Sequence, residues 1–173
     1  MDATRIPQIA LREFAAPFLG QPVWGARQGY GSFLNLEFCS PELIVKEWQS
    51  DGEGLRRHAY VQGLWHVWIY CCDWRFTANG AQVAWSEDAR DDIARAMAML
   101  DGQRLIDISL DPGAGKSRFT FDLGGLLETW PGGDDPTVEQ WFIYGPDDVF
   151  GYRADGRHSK QHATASRNDE QWP

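Results

Sequence analysis

The sequence predicts an α+β protein, mainly antiparallel β-sheet, built from two similar helix-plus-four-strand units related by a pseudo-twofold axis. Three observations carry this expectation. "FLNLEF" (residues 33–38) and "RFTFDL" (118–123) alternate apolar with polar residues, the period of a half-buried antiparallel strand. A stretch with helical spacing precedes each of them. The succession of turns and strands after the first helix then recurs after the second, which is how an internal repeat declares itself.

The elements follow in order. "IPQIALREFAAPF" (6–18) is a short helix bounded by Pro7 at its start and Pro17 at its end. The second helix is clearer. In "SEDARDDIARAMAMLDG" (86–102), Ile93, Met97 and Leu100 share one face and four acidic residues crowd the start, where the helix dipole favours them. Gly102 stands where a left-handed C-terminal cap belongs. After each helix, Gly20-Gln21 matches Gly102-Gln103, Val23-Trp24 matches Leu105-Ile106, and Ser32–Phe38 matches Ser117–Leu123 without a gap. Downstream, Ile44–Trp48 aligns with Leu126–Trp130 as the third strand of each unit. Trp48 and Trp130 are then expected to plug the ends of the two cores. "WIYCCDWRFTANG" (68–80) aligns with "WFIYGPDDVFGYRADG" (141–156). "GLWHVWIYCC" (63–72) is apolar almost throughout, so a central strand buried on both faces is expected. The units are placed at residues 1–82 and 83–156, packed as one compact domain, with a polar tail over 157–173.

Composition excludes several function classes. The 173 residues carry 43% hydrophobic and 24% charged side chains, the balance of a soluble globule. No apolar run approaches the roughly 20 residues that span a bilayer, and "MDATRIPQIALREF" has no signal-peptide core, so a cytoplasmic protein without a membrane partner is expected. The net charge of −9 argues against nucleic acid and leaves open a basic protein surface as partner. Three cysteines, Cys39, Cys71 and Cys72, are too few and too awkwardly placed for a disulfide framework.

"DPGAGKSRFTFDLGG" (111–125) contains the letters of a phosphate loop, but Leu110 stands where the first glycine is required and a strand follows the lysine. No nucleotide is expected at Gly115-Lys116-Ser117. No metal is expected either, since Cys71 and Cys72 point to opposite faces of a strand and zinc-ligand spacing is missing. His66 and Cys72, six residues apart on one strand, stand about 20 Å from each other, too far for a dyad. His158 and His162 lie in the expected tail. No catalytic residue and no cofactor is assigned.

Two surfaces remain as candidates. His66, Trp68 and Tyr70 share a strand face, with Trp74 and Arg75 following and Asp73 as a charged neighbour; this face is either core or the wall of an aromatic binding groove. Asp134, Asp135, Asp147 and Asp148 fall at turn signals and form a candidate acidic rim for a basic partner. The function expected is that of a non-enzymatic protein-binding protein, in its sharpest form a bacterial immunity protein that neutralises a basic toxin domain. The alternative is a small-molecule-binding protein or enzyme using the groove around His66, Trp68 and Tyr70.

Overall fold

The computed structural model describes residues 6–164. Among these residues two helices and eleven strands follow one another, beginning with α1 (Ile6–Ala15), β1 (Val23–Gln28), β2 (Leu34–Ser50), β3 (Gly54–Ile69), β4 (Asp73–Ala78) and β5 (Ala81–Trp85). These are followed by α2 (Arg90–Leu100), β6 (Leu105–Asp111), β7 (Lys116–Phe121), β8 (Gly125–Trp130), β9 (Glu139–Tyr144), β10 (Asp148–Arg153) and β11 (His158–His162). Every strand pairing is antiparallel. The protein is therefore α+β and mainly antiparallel sheet.

The strands form a six-stranded sheet ordered β1-β2-β3-β9-β10-β11 and a five-stranded sheet ordered β5-β4-β8-β7-β6. Each sheet thus contains a three-strand meander from one half of the chain and is completed by strands from the other. The inner faces meet in one core: Trp74, Phe76, Phe119 and Leu127 from the five-stranded sheet join Phe38, Val67, Trp141 and Phe150 from the six-stranded one. Trp141 crosses between them. Its ring stands 5.5 Å edge-on from that of Phe119, and its indole N–H donates to Ser117 Oγ at 2.8 Å.

The helices close the flanks of this sandwich. The buried face of α1 places Phe14 against Trp65 and Phe150, and Phe18, just beyond the helix, stacks on Trp65. Gln8 satisfies the free edge of β6, its amide donating to Ile108 O and accepting from Leu110 N. α2 packs against β1 and β5 and ends as expected, with Gly102 at φ +88°. At the meeting of β1 and β6, Gly20 N donates to Leu105 O and Gly102 N to Val23 O. Leu105 N donates to Gln21 O and Val23 N to Gln103 O, with Pro22 bridged to Arg104 between them.

Several expectations need correction. The first half contains five strands and the second six. Ile44–Trp48 is not a third strand; it lies in the distal half of β2, and the third strand is Trp65–Ile69 of β3. The cause is a length difference: β2 and β3 extend as a hairpin far beyond the point at which β7 and β8 turn. The aligned tryptophans therefore do not plug cores. Trp48 pairs with Arg56 and is 49% exposed, and Trp130 is half-buried opposite Asp73. Within the expected tail, His158–His162 forms β11 against β10, where Ser159 is buried and His158 stacks on Phe150. Burial pushes the His158 pKa down. Residues 165–173 of the expected tail, with Trp172, lie outside the described residues.

The glycine-rich turn has a packing role. Gly115 holds φ +61°, and a Cβ there would sit 2.1 Å from Ala154 O; Gly156 at φ +77° approaches Pro112 O equally closely. The β6–β7 turn and the β10–β11 turn thus touch backbone to backbone. Lys116 starts strand β7, with no helix behind it. Gly115→Ala should accordingly cost more than about 2 kcal/mol, from both φ and the clash, while Lys116→Ala shifts stability by no more than about 0.5 kcal/mol. Urea melts of the two variants check this.

A second comparison separates core from surface tryptophan. Trp141→Ala should cost about 3–5 kcal/mol, because a fully buried ring and its hydrogen bond are lost. Trp48→Ala should change the denaturation midpoint little, its ring being half in water.

Candidate functional site

The residues named together as a groove are distributed over three environments. β3 alternates, with Trp65, Val67 and Ile69 in the core and His66 and Trp68 half-buried on the outer face, where Tyr70, just past the strand's end, joins them. Trp74 is core, with its indole N–H donating to Ser32 O at 2.7 Å. Arg75 lies on the outer face of the other sheet, where Glu128 accepts from it at 2.6 Å and Arg118 approaches the same carboxylate. A surface cavity of about 480 Å³ there is lined by Arg75, Arg118, Glu128 and Trp130. The reason for the dispersal is the short crossing after Ile69, which carries the chain from one sheet to the other. Asp73 accepts a hydrogen bond from Ser86 on the far side of that crossing.

The outer-face group is larger than the sequence alternation revealed. Trp68 and Tyr70 stand 4.4 Å apart, Phe33 packs on both, and Phe142 and Tyr144 from β9 extend the row to His66. β9 contributes because it pairs with β3, Trp68 opposite Phe142 and His66 opposite Tyr144. No local signal in the sequence announces that pairing.

At the end of this row sits Glu37, whose side chain is completely buried although it lies on the outer face. Its carboxylate accepts from His66 Nδ1 at 2.8 Å, from Arg27 at 2.9 Å and from Gly63 N at 3.0 Å. Burial pushes the Glu37 pKa up, but the His66 bond and charge, the Gly63 amide and Arg27 together outweigh it, and the pKa is lowered. An ionised carboxylate only accepts, so Nδ1 of His66 carries the proton and Nε2 is the nitrogen left for other chemistry. Glu37 was read in the sequence only as the polar position of an alternating strand.

Glu37 also marks where the sheet ends and a projecting arm begins. Cys39 holds φ +62°, the register slips between Phe38 and Pro41, and a Cβ on Gly63 would sit 2.5 Å from Phe38 O. Beyond this bulge, β2 and β3 continue as a two-stranded ribbon of ten residue pairs, from Pro41–Gly63 to Ser50–Gly54, about 30 Å long. One face of the ribbon continues the core face of β3. Val61 and Leu43 lie opposite one another on it, as do Ala59 and Val45; the Glu47–Arg57 ion pair follows and separates them from Leu55 near the tip. Leu43 is 68% exposed, Leu55 57%, Val61 50% and Val45 49%.

The four aspartates do not make one rim. Asp134 and Asp135 precede β9 and Asp147 and Asp148 follow it, so they stand at opposite ends of that strand. Asp135 caps its own turn, accepting from Thr137 N and Oγ1, and those two bonds lower its pKa. Asp148 pairs with Lys160 at 3.2 Å. Of the cysteines, Cys72 is buried, its thiol directed at Gln140 O and its pKa raised chiefly by burial; Cys71 lies half-buried beyond the end of β3. Among the described residues, no three His, Cys, Asp or Glu side chains are grouped to hold a metal ion, and no helix is long and apolar enough to cross a membrane. Comparison with protein-family models, curated proteins and solved structures finds no match to this chain.

The Glu37 cluster yields a pH prediction. A carboxylate whose folded pKa is lowered adds stability that is complete above its unfolded pKa and lost as pH falls through the folded value. Glu37→Gln should cost about 2 kcal/mol at pH 7, from a buried charged acceptor lost beside Arg27. The gap from wild type should narrow as the pH is lowered through the carboxylate range. Denaturant melts at pH 7, 5 and 3.5 measure it.

Proposed function

We propose that this protein acts without catalysis, by binding another protein, and that the apolar face of the β2–β3 arm is the surface it uses. The observation that carries the reading is the exposure of Leu43, Val45 and Val61, adjacent on a ribbon whose neighbouring residues on the same face, Trp65 and Val67, are core. Apolar residues singly exposed are ordinary, whereas a contiguous row is a feature of interaction sites. The arm is also specific to the first half of the chain, since β7 and β8 turn without one.

In its sharpest form the reading is a bacterial, cytoplasmic immunity protein whose partner is a basic toxin domain. Its support is the net charge of −9, which would draw a basic partner by long-range attraction. The test is capture with the full-length chain as bait, comparing wild type with Leu43→Asp and Val61→Asp. These sites are exposed, so the variants should fold. A stoichiometric basic protein held by wild type, released by salt and lost from both variants is expected. A partner retained by both variants would remove the arm from the reading.

The second reading, a small-molecule site or enzyme, is supported by the outer-face aromatic row ending at the His66–Glu37 pair. A compound that raises the melting temperature of wild type but not of His66→Ala would favour it. We also infer that the two halves arose by internal duplication around a pseudo-twofold axis. Two facts support this: the strand orders β1-β2-β3-β9-β10 and β6-β7-β8-β4-β5 correspond, and Gly20, Gln21 and Val23 make the same bonds to the second half that Gly102, Gln103 and Leu105 make to the first.

A further inference from the structure

The arm has edges as well as faces, and the two edges differ. β1 pairs with β2 only as far as Phe38, so among the described residues β2 from Pro41 onward has no strand on that side. β9 pairs with β3 only over His66–Ile69, which leaves the opposite edge of the arm open as well. Open edges attract other strands, and natural proteins defend them with charge. The β3 edge is so defended, by Arg56 and Arg57 in succession. Two copies meeting through that edge would set cation against cation. The β2 edge reads Pro41-Glu42-Leu43-Ile44-Val45-Lys46-Glu47-Trp48, strongly β-forming and of mixed charge.

We propose that the β2 edge of the arm joins a second copy of this chain as an antiparallel strand pair centred on Ile44. Antiparallel pairing about a twofold axis sets residues opposite one another on the same face of the sheet. Centred on Ile44, Glu42 faces Lys46 of the other copy and Leu43 faces Val45, and each pair occurs twice. The neighbouring centres lose this match. Centring on Val45 sets Leu43 against Glu47, centring on Lys46 sets lysine against lysine, and centring on Leu43 sets Glu42 against Ile44. The Ile44 register is thus selected by charge and apolarity together. It joins the two arms in one four-stranded sheet, with Leu43, Val45, Ala59 and Val61 of both copies on one face and Glu42 and Lys46 on the other. The inference stands apart from the proposed partner, since it concerns the edge of the arm and needs no second protein species.

Sedimentation of the full chain tests it. At tens of micromolar and moderate salt, wild type should run at twice the 19.6 kDa chain mass. Glu42→Lys and Lys46→Glu each oppose like charges twice and should each weaken self-association at least tenfold. An equimolar mixture of the two single variants should dimerise again, because each then presents what the other lacks, and the double variant E42K/K46E should dimerise by itself. Circular dichroism confirms folding, which these exposed positions should not disturb. A monomeric wild type overturns the proposal, as do single variants that dimerise as well as wild type or a mixture that stays monomeric.

Discussion

Neither half of this chain can close its own core, because the strands that complete each sheet come from the other half. β3 leaves the six-stranded sheet at Ile69 and β4 enters the five-stranded one at Asp73; β8 leaves at Trp130 and β9 returns at Glu139. The crossings make the two sheets mutually dependent. Trp141 can bury its ring against Phe119 and give its N–H to Ser117 only because β9 belongs to the first sheet and β7 to the second. Trp74 reaches Ser32 in the same way, from β4 across to the β1–β2 turn. A chain so arranged should gain and lose its core as one unit, since unravelling either crossing strips strands from both sheets.

That dependence also locates the candidate surfaces. The inner faces are consumed by the shared core and the flanks by α1 and α2, so the chemistry left over lies on the outer faces and on whatever extends past the sandwich. The outer face of the six-stranded sheet carries the aromatic row and its Glu37–His66 terminus. The arm extends past the sandwich entirely, carrying a core-like face out of the core. Glu37 stands at the junction of the two. Its carboxylate joins β1 through Arg27, β3 through His66 and the base of the arm through Gly63 N, so a single buried charge holds three segments together where the arm leaves the sheet. Burying that charge is tolerable because three donors compensate it.

Much of the fold was legible locally. Period-two alternation marked β2 and β7, Pro7 and Pro17 bounded α1, and Gly102 marked the end of α2. What failed did so for identifiable reasons. The match of Ile44–Trp48 to Leu126–Trp130 is real as a pattern of residues, but an arm and a core strand share the same alternation, and alternation does not say what lies over a face. Trp48 and Trp130 were assigned to cores on that basis and are not core residues. The continuous apolar run of "GLWHVWIYCC" suggested burial on both faces, whereas its strand gives only Trp65, Val67 and Ile69 to the core, with Cys72 beyond it; Trp68 and Tyr70 are large aromatics that shield one another on the outer face.

The sequence by itself therefore determined the secondary structure class, the turn at Gly115 in place of a phosphate loop, and the acidic character of the surface. These depend on near neighbours: side-chain period, glycine and proline conformation, and summed charge. Only the tertiary structure decided that Arg75 and Trp74 part company with His66, that the four aspartates are split by β9, and that Glu37 is the buried centre of a polar cluster. Each of those outcomes turns on which strand crosses to which sheet, a choice made by the packing of residues a hundred positions apart. A period of two cannot record it.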